Sequence, residues 1–230
     1  MVQRDGPQNH ITVSSNLTLS STKEVEQLKI MIHDLEQKVN QIYTVPSDIN
    51  QHIPVIVQLA QECNHITEMG VRTVVSTWGW LAGAPKDGLI SYDLYNPKYW
   101  LGENNDPIKD VSDTAEAYDI KFKFVEADVC EIEIEETDLL FIDTWHVYDQ
   151  LKEELRIHSN KARKYICFHD TTSFAHHGES NSSDHKWVGK LTEGKGLWDA
   201  VTEFLDENSD TWELQKRYEH NNGFTIIKRK

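Results

Sequence analysis

The sequence predicts an α/β domain in which a mostly parallel, seven-stranded sheet ends in an antiparallel hairpin and follows an N-terminal helix. Three observations predict it. Short apolar runs alternate with helical segments from His65 to His169, the pattern of a doubly wound sheet. Several of those runs end in an acid. Near the C-terminus, Asn221-Asn222-Gly223 separates two further apolar runs, a hairpin signal.

In chain order, residues 1–20 are polar without periodicity and read as a flexible N-terminus. Ser21-Thr22-Lys23-Glu24 has capping-box form, and Val25, Leu28, Ile32, Leu35, Val39 and Ile42 then recur at spacings of three and four. A coiled-coil-like helix or linker over residues 21–46 follows. It either packs on its own domain or joins copies of the chain into a homo-oligomer. Val45-Pro46-Ser47-Asp48 breaks it, and residues 47–230 form the main domain. Ile49–Cys63 is amphipathic, with Pro54 tolerable only in a first helical turn. The strand candidates are His65–Met69, Leu89–Tyr95, Phe122–Val129, Asp138–Asp143 and Tyr165–His169. Helical patterns cover Val74–Leu81, Ser112–Tyr118 and Tyr148–His158. Helix Leu197–Leu205 then precedes the hairpin strands Trp212–Tyr218 and Phe224–Ile227.

Composition narrows the partners. The 38 acidic and 23 basic residues give a formal charge of -15, which repels a phosphate backbone and disfavours a nucleic-acid substrate. A small-molecule or glycan acceptor fits better. Three cysteines without metal-like spacing make no disulfide framework. The first residues lack the apolar core of a signal peptide, and no apolar stretch approaches the roughly 20 residues needed to span a bilayer. The expectation is a cytoplasmic protein with no membrane partner.

The first strand ends in Glu68-Met69-Gly70, followed by Ser76 on a helix. Gly70 permits a sharp turn and close approach of a ligand, and the helix start offers free N–H donors. A dinucleotide loop needs three glycines; only Gly70 is present. That favours S-adenosylmethionine (SAM), which has no pyrophosphate, over a nicotinamide cofactor. The second strand carries Asp93 about 20 residues further on, the place for an acid gripping ribose hydroxyls. Asp128, at the end of the third run, is placed to hold an adenine.

With these residues in view, the segments "ITEMGVRTVVSTW", "ISYDL", "FVEADV", "DLLFIDTWHVYDQLKEEL" and "KYICFHDT" resemble the successive motifs of class I SAM-dependent methyltransferases. The nearest group looks like the small sugar and antibiotic O-methyltransferases, macrocin O-methyltransferase-like, including viral and phage-borne versions. The similarity covers roughly residues 47–230. It implies a Rossmann-like class I methyltransferase fold and SAM contacts at Glu68, Gly70, Ser76, Asp93, Asp128 and around Asp143. It also implies methyl transfer to a sugar or glycan hydroxyl.

Asp143 and His169-Asp170 end two apolar runs that neighbour each other in such a sheet, and His146 lies one short turn beyond Asp143. Two chemistries fit. A divalent cation, Mg2+ or Mn2+, sits on Asp143, His169 and Asp170 and lowers the pKa of the acceptor hydroxyl. Alternatively, His146 or Asp143 acts as general base. Asp143, His146 and His169 are thus the catalytic candidates. The macrocin-like relatives hold a metal on acids after these strands; this chain departs from them in offering His169-Asp170 where two acids are expected. Residues 172–195, with His176 and His177, read as a lid. The competing readings are a nicotinamide-dependent oxidoreductase on the same sheet and a non-catalytic assembly module.

Overall fold

A computed structural model of the chain describes residues 34–102, 105–179 and 191–230. The first described element is helix α1 (34–44), followed by α2 (Ile53–Gln61), β1 (His65–Met69), α3 (Val75–Ala82) and β2 (Gly88–Asp93). Then come α4 (Lys98–Leu101), α5 (Pro107–Ala117), β3 (Phe122–Glu126), β4 (Thr137–Ile142) and α6 (Tyr148–His158). The chain continues through β5 (Ala162–His169), α7 (Leu197–Glu207), β6 (Trp212–Tyr218) and β7 (Phe224–Arg229). The seven strands form one sheet in the order β3-β2-β1-β4-β5-β7-β6. The first five are parallel, and β7 runs antiparallel between β5 and β6.

The central strands β1, β4 and β5 are buried on both faces, whereas β3 and β6 at the sheet edges are mostly half-buried or exposed. Leu139 and Phe141 of β4 point into one core with Ile66, Cys167, Trp80 and Val111, while Leu140 and Ile142 point into the other with Ile166, Phe168, Leu151 and Ala200. Helices α1, α2, α3 and α5 thus cover one face, and α6 and α7 the other. The period of two along each strand supplies both cores at once.

Of the stalk-like helix, Leu35 and Val39 are buried in the chain's own core, and Leu35 N–H donates to the Tyr118 hydroxyl at 3.2 Å. The apolar stripe over 34–44 therefore serves intrachain packing. Val25, Leu28 and Ile32 lie outside the described residues. Pro54 sits in the first turn of α2, as its missing N–H requires.

Several boundaries differ from expectation for local reasons. Helix α5 begins at Pro107 rather than Ser112, because the Asp106 side chain accepts from Lys109 N–H and caps it. Strand β2 stops at Asp93 rather than Tyr95, whose N–H turns back to Asp93 Oδ1 at 3.0 Å. Strand β3 stops at Glu126 rather than Val129, since Asp128 Oδ1 takes Cys130 N–H at 2.8 Å. Among the described residues no helix is long and apolar enough to cross a membrane.

Candidate functional site

In open α/β sheets ligands bind at the carboxyl ends of the strands, where the strand order reverses. Here that point lies between β1 and β4. Gly70 follows β1 with φ of +87°, its N–H donating to Tyr92 O at 2.8 Å. Asp143 follows β4 and donates its N–H to Met69 O at 2.8 Å. A Cβ on Gly70 would overlap the Asp143 carbonyl oxygen. The glycine is thus required by its close approach to the end of the neighbouring strand.

The loop after Gly70 places Arg72 (φ +44°) and Val74 (φ +59°) in left-handed backbone, which glycine adopts more readily. Asp93 secures this loop from β2: Oδ2 accepts Val71 N–H at 2.7 Å and Arg72 N–H at 3.0 Å. Beneath it Glu68 is fully buried. Its Oε1 accepts from Ser76 Oγ at 2.6 Å, and its Oε2 from Thr77 Oγ1 at 2.8 Å and Ser91 Oγ at 2.6 Å. Burial pushes the Glu68 carboxyl up to about 7, with the hydroxyl hydrogen bonds pulling the other way. Glu68 and Ser76 therefore tie β1, β2 and the start of α3 together. Helix α3 starts without a side-chain cap, so its first N–H groups are suited to an anionic ligand group.

One strand over, the second set of candidates converges. Asp143, His169 and Asp170 offer ligand atoms that all lie within 4.8 Å of one another. His169 Nδ1 is 3.3 Å from Asp143 Oδ1 and 3.1 Å from Asp170 Oδ2. His146 Nε2 is 2.9 Å from Asp170 Oδ2 and 3.5 Å from Asp143 Oδ1. Asp170 has left-handed backbone at φ +58°, a strain seen where a site is held by its surroundings. Its side chain is 4% exposed, that of His169 1%, and that of Asp143 21%, so Asp143 is the acid that reaches the open side.

Charge in this cluster is strongly coupled. Burial would raise the Asp143 carboxyl, but the His169 charge and hydrogen bonds from both histidines hold it well below the usual carboxylate range. Burial likewise opposes ionisation of Asp170, which His146 and His169 nonetheless hold low. Burial would lower His146, yet hydrogen bonds to Asp143, Asp170 and Glu179 push it up to about 12. For His169 the same opposition ends at about 10, with the Asp143 charge the largest raising influence. Carboxylates this crowded require a positive partner, which is either ring protons or a metal ion. Asp170 Oδ2 faces both histidines, while its Oδ1 is buried and without a hydrogen-bond partner among the described residues.

Sequence reasoning missed the supports. Glu179 Oε2 lies 3.0 Å from His146 Nδ1, and Phe174 stacks on the His146 ring at 4.8 Å between centroids. Asp48 O and Asn221 O lie 3.0 and 3.2 Å from His169 Nε2. The supporting carbonyls leave no trace in side-chain identity, and Glu179 is 33 residues from its partner. His176, by contrast, turns to Asp199 at 2.9 Å, and Trp198 stacks under Arg217 at 3.9 Å. Of the segment 172–195 read as a lid, residues 180–190 lie outside the described residues.

A cavity of about 390 Å3 lies on the opposite rim, lined by His65, Leu89, Lys121, Phe122 and Arg163 among others. The cavity at the cluster measures only about 10 Å3. Topology and charge nonetheless favour the carboxyl rim, because the amino rim carries no comparable convergence of ligand atoms among the described residues.

No protein-family profile and no curated protein matches the chain. Solved structures do. A protein from Staphylococcus aureus provisionally described as a caffeoyl-CoA O-methyltransferase superposes with a TM-score of 0.53 at 12% identity, over 92% of this chain and 93% of that one. Cofactor-bound Rv0187 from MTB gives 0.53 at 13% identity, over 92% and 98%. The fold is the Rossmann-like methyltransferase fold. At such identities the likeness speaks for the architecture, and the chemistry must come from the site.

Proposed function

We propose that the chain transfers a methyl group from SAM to a hydroxyl of a sugar or glycan, assisted by a divalent metal on Asp143, His169 and Asp170. The observation that carries this reading is the meeting of those residues at the ends of β4 and β5, beside the Gly70 loop at the end of β1. The fold shared with the Staphylococcus aureus protein supports it.

SAM supplies a methyl group already activated by its sulfonium, so the protein contributes alignment more than bond-breaking power. Asp93 at the end of β2 would hold the ribose hydroxyls, Asp128 would flank the adenine, and the uncapped start of α3 would take the carboxylate. A bound divalent cation lowers the pKa of a hydroxyl in contact with it. Asp143, the partly exposed acid, accepts the hydroxyl's hydrogen bond and turns its oxygen toward the methyl group. The C–O bond forms as the C–S bond breaks, and the hydroxyl proton passes to the surrounding carboxylates or water. His146 is held by three carboxylates and is a poor proton acceptor in this role.

Isothermal titration with SAM and S-adenosylhomocysteine, followed by labelled methyl transfer to a panel of deoxysugars, glycans and catechols, tests the proposal. Binding of both cofactors and transfer to a sugar hydroxyl are expected. Absence of binding to either cofactor sinks it; NADH binding in their place supports the oxidoreductase alternative.

A further inference from the structure

The three-residue metal set leaves His146 without a task, although both of its ring nitrogens face carboxylates. We infer that His146 Nε2 is a fourth metal ligand, giving a centre of two imidazole nitrogens and two carboxylate oxygens that selects first-row transition-metal dications over Mg2+ and Ca2+. The inference rests on the proposed metal centre and specifies its coordination and metal class.

The hydrogen bonds fix which nitrogen of each ring faces inward. His169 Nε2 lies against two backbone carbonyls, Asp48 O at 3.0 Å and Asn221 O at 3.2 Å. Carbonyl oxygens only accept, so Nε2 carries the proton. His146 Nδ1 lies 3.0 Å from Glu179 Oε2, and an ionised carboxylate also only accepts, so Nδ1 carries the proton there. The inner atoms, His169 Nδ1 and His146 Nε2, then face the same pair of oxygens, Asp143 Oδ1 and Asp170 Oδ2. On neutral rings these nitrogens turn lone pairs toward the anionic oxygens. That is repulsive, so the inner position of each ring is filled either by a second proton or by a metal ion shared among the four atoms, which takes the place of those protons.

Going round the ring of alternating nitrogen and oxygen, the edges measure 3.5, 2.9, 3.1 and 3.3 Å. Atoms at metal–ligand distances of about 2.1 Å from a common centre are about 3.0 Å apart at right angles and about 3.4 Å apart in a tetrahedron. The observed edges span that interval. Ligating histidines also donate the other ring N–H to a carboxylate or a backbone carbonyl, which fixes tautomer and orientation. Both rings here do so, and the Phe174 ring lies within 10° of parallel to that of His146, fixing its plane. Glu179 is therefore a positioning residue for His146.

Nitrogen content decides the metal. Imidazole suits Zn2+, Fe2+, Ni2+ and related ions, whereas Mg2+ and Ca2+ prefer all-oxygen shells. With two of four protein ligands nitrogen, affinity should rise from Mg2+ through Mn2+ to Zn2+.

The full chain, dialysed against EDTA and then buffer, is titrated calorimetrically with MgCl2, MnCl2 and ZnCl2. Pulsed electron paramagnetic resonance of the Mn2+-loaded chain counts the coordinated nitrogens. Two imidazole nitrogens are expected, with Mn2+ bound at least about tenfold more tightly than Mg2+. His146→Ala should leave one nitrogen, and Glu179→Ala should weaken Mn2+ binding by about 10- to 100-fold. Glu179→Gln, which keeps an acceptor for Nδ1–H, should recover most of that loss. Since nitrogen counting uses the unaltered chain, it stands even where a variant fails to fold. One nitrogen, or Mg2+ bound as tightly as Mn2+, overturns the fourth ligand while leaving the metal centre. No binding of any of the three ions overturns both.

Discussion

Replacing Glu68 with glutamine tests the buried acid on which the Gly70 loop rests. Its carboxyl is pushed up from the ordinary 4.5 to about 7, chiefly by complete burial. A group with a raised folded-state pKa binds more protons folded than unfolded across that interval. Its stabilising contribution is complete below pH 4.5 and is lost as pH rises through about 7. At about 1.4 kcal/mol per pH unit, the parent should lose about 3 kcal/mol relative to Glu68→Gln between those limits. Glutamine keeps the shape, and the Ser76, Thr77 and Ser91 hydroxyls can reorient to meet an amide. Urea unfolding followed by tryptophan fluorescence at pH 4.5, 5.5, 6.5 and 7.5 gives the difference between parent and variant, in which other titrations cancel. A shift of about 1 M or more in relative midpoint is expected across the series, given typical urea slopes. A difference that stays flat with pH would refute the assignment of the titration to Glu68.

Three further outcomes follow from the geometry. Gly70→Ala should destabilise the chain by about 3 kcal/mol or more, because the new methyl group meets the Asp143 carbonyl and φ is +87°; thermal unfolding reads this directly. Asp93→Ala removes the acceptor for Val71 and Arg72 N–H and should weaken S-adenosylhomocysteine binding about tenfold or more by calorimetry. Leu35→Ala should cost about 2–4 kcal/mol of folding stability if helix α1 belongs to the domain core. Sedimentation of the same variant will show whether the preceding segment associates copies of the chain.

How much of this was legible in the sequence depends on the range of the interactions concerned. Strands β4 and β5 could be read because strands buried on both faces carry continuous apolar runs, as in Leu139-Leu140-Phe141-Ile142. The hairpin announced itself through Asn222-Gly223, whose residues both have positive φ. The convergence of Asp143 with His169 and Asp170 followed from the adjacency of two strands. By contrast, Arg72 and Val74 occupy left-handed positions that their side chains disfavour, so composition pointed away from the loop geometry. The start of α5 was placed too late because the Asp106-Pro107 pair acts as cap and first residue outside the apolar periodicity. Glu179, Asp48 and Asn221 were invisible as site residues, since only tertiary folding brings a distant carboxylate or a main-chain carbonyl to an imidazole.

The clasp around His169 also ties together parts of the domain that are far apart in the chain. Its Nε2 is held by carbonyls 121 residues before it and 52 residues after it. Those two flanking segments are themselves bonded across 174 residues, through Asn221 Nδ2 to Ser47 O. During synthesis the parallel strands therefore emerge long before the turn that orients the imidazole, and long-range closures of this kind form slowly. The inner nitrogen of His169 acquires a fixed direction only when residues from both ends of the domain have met.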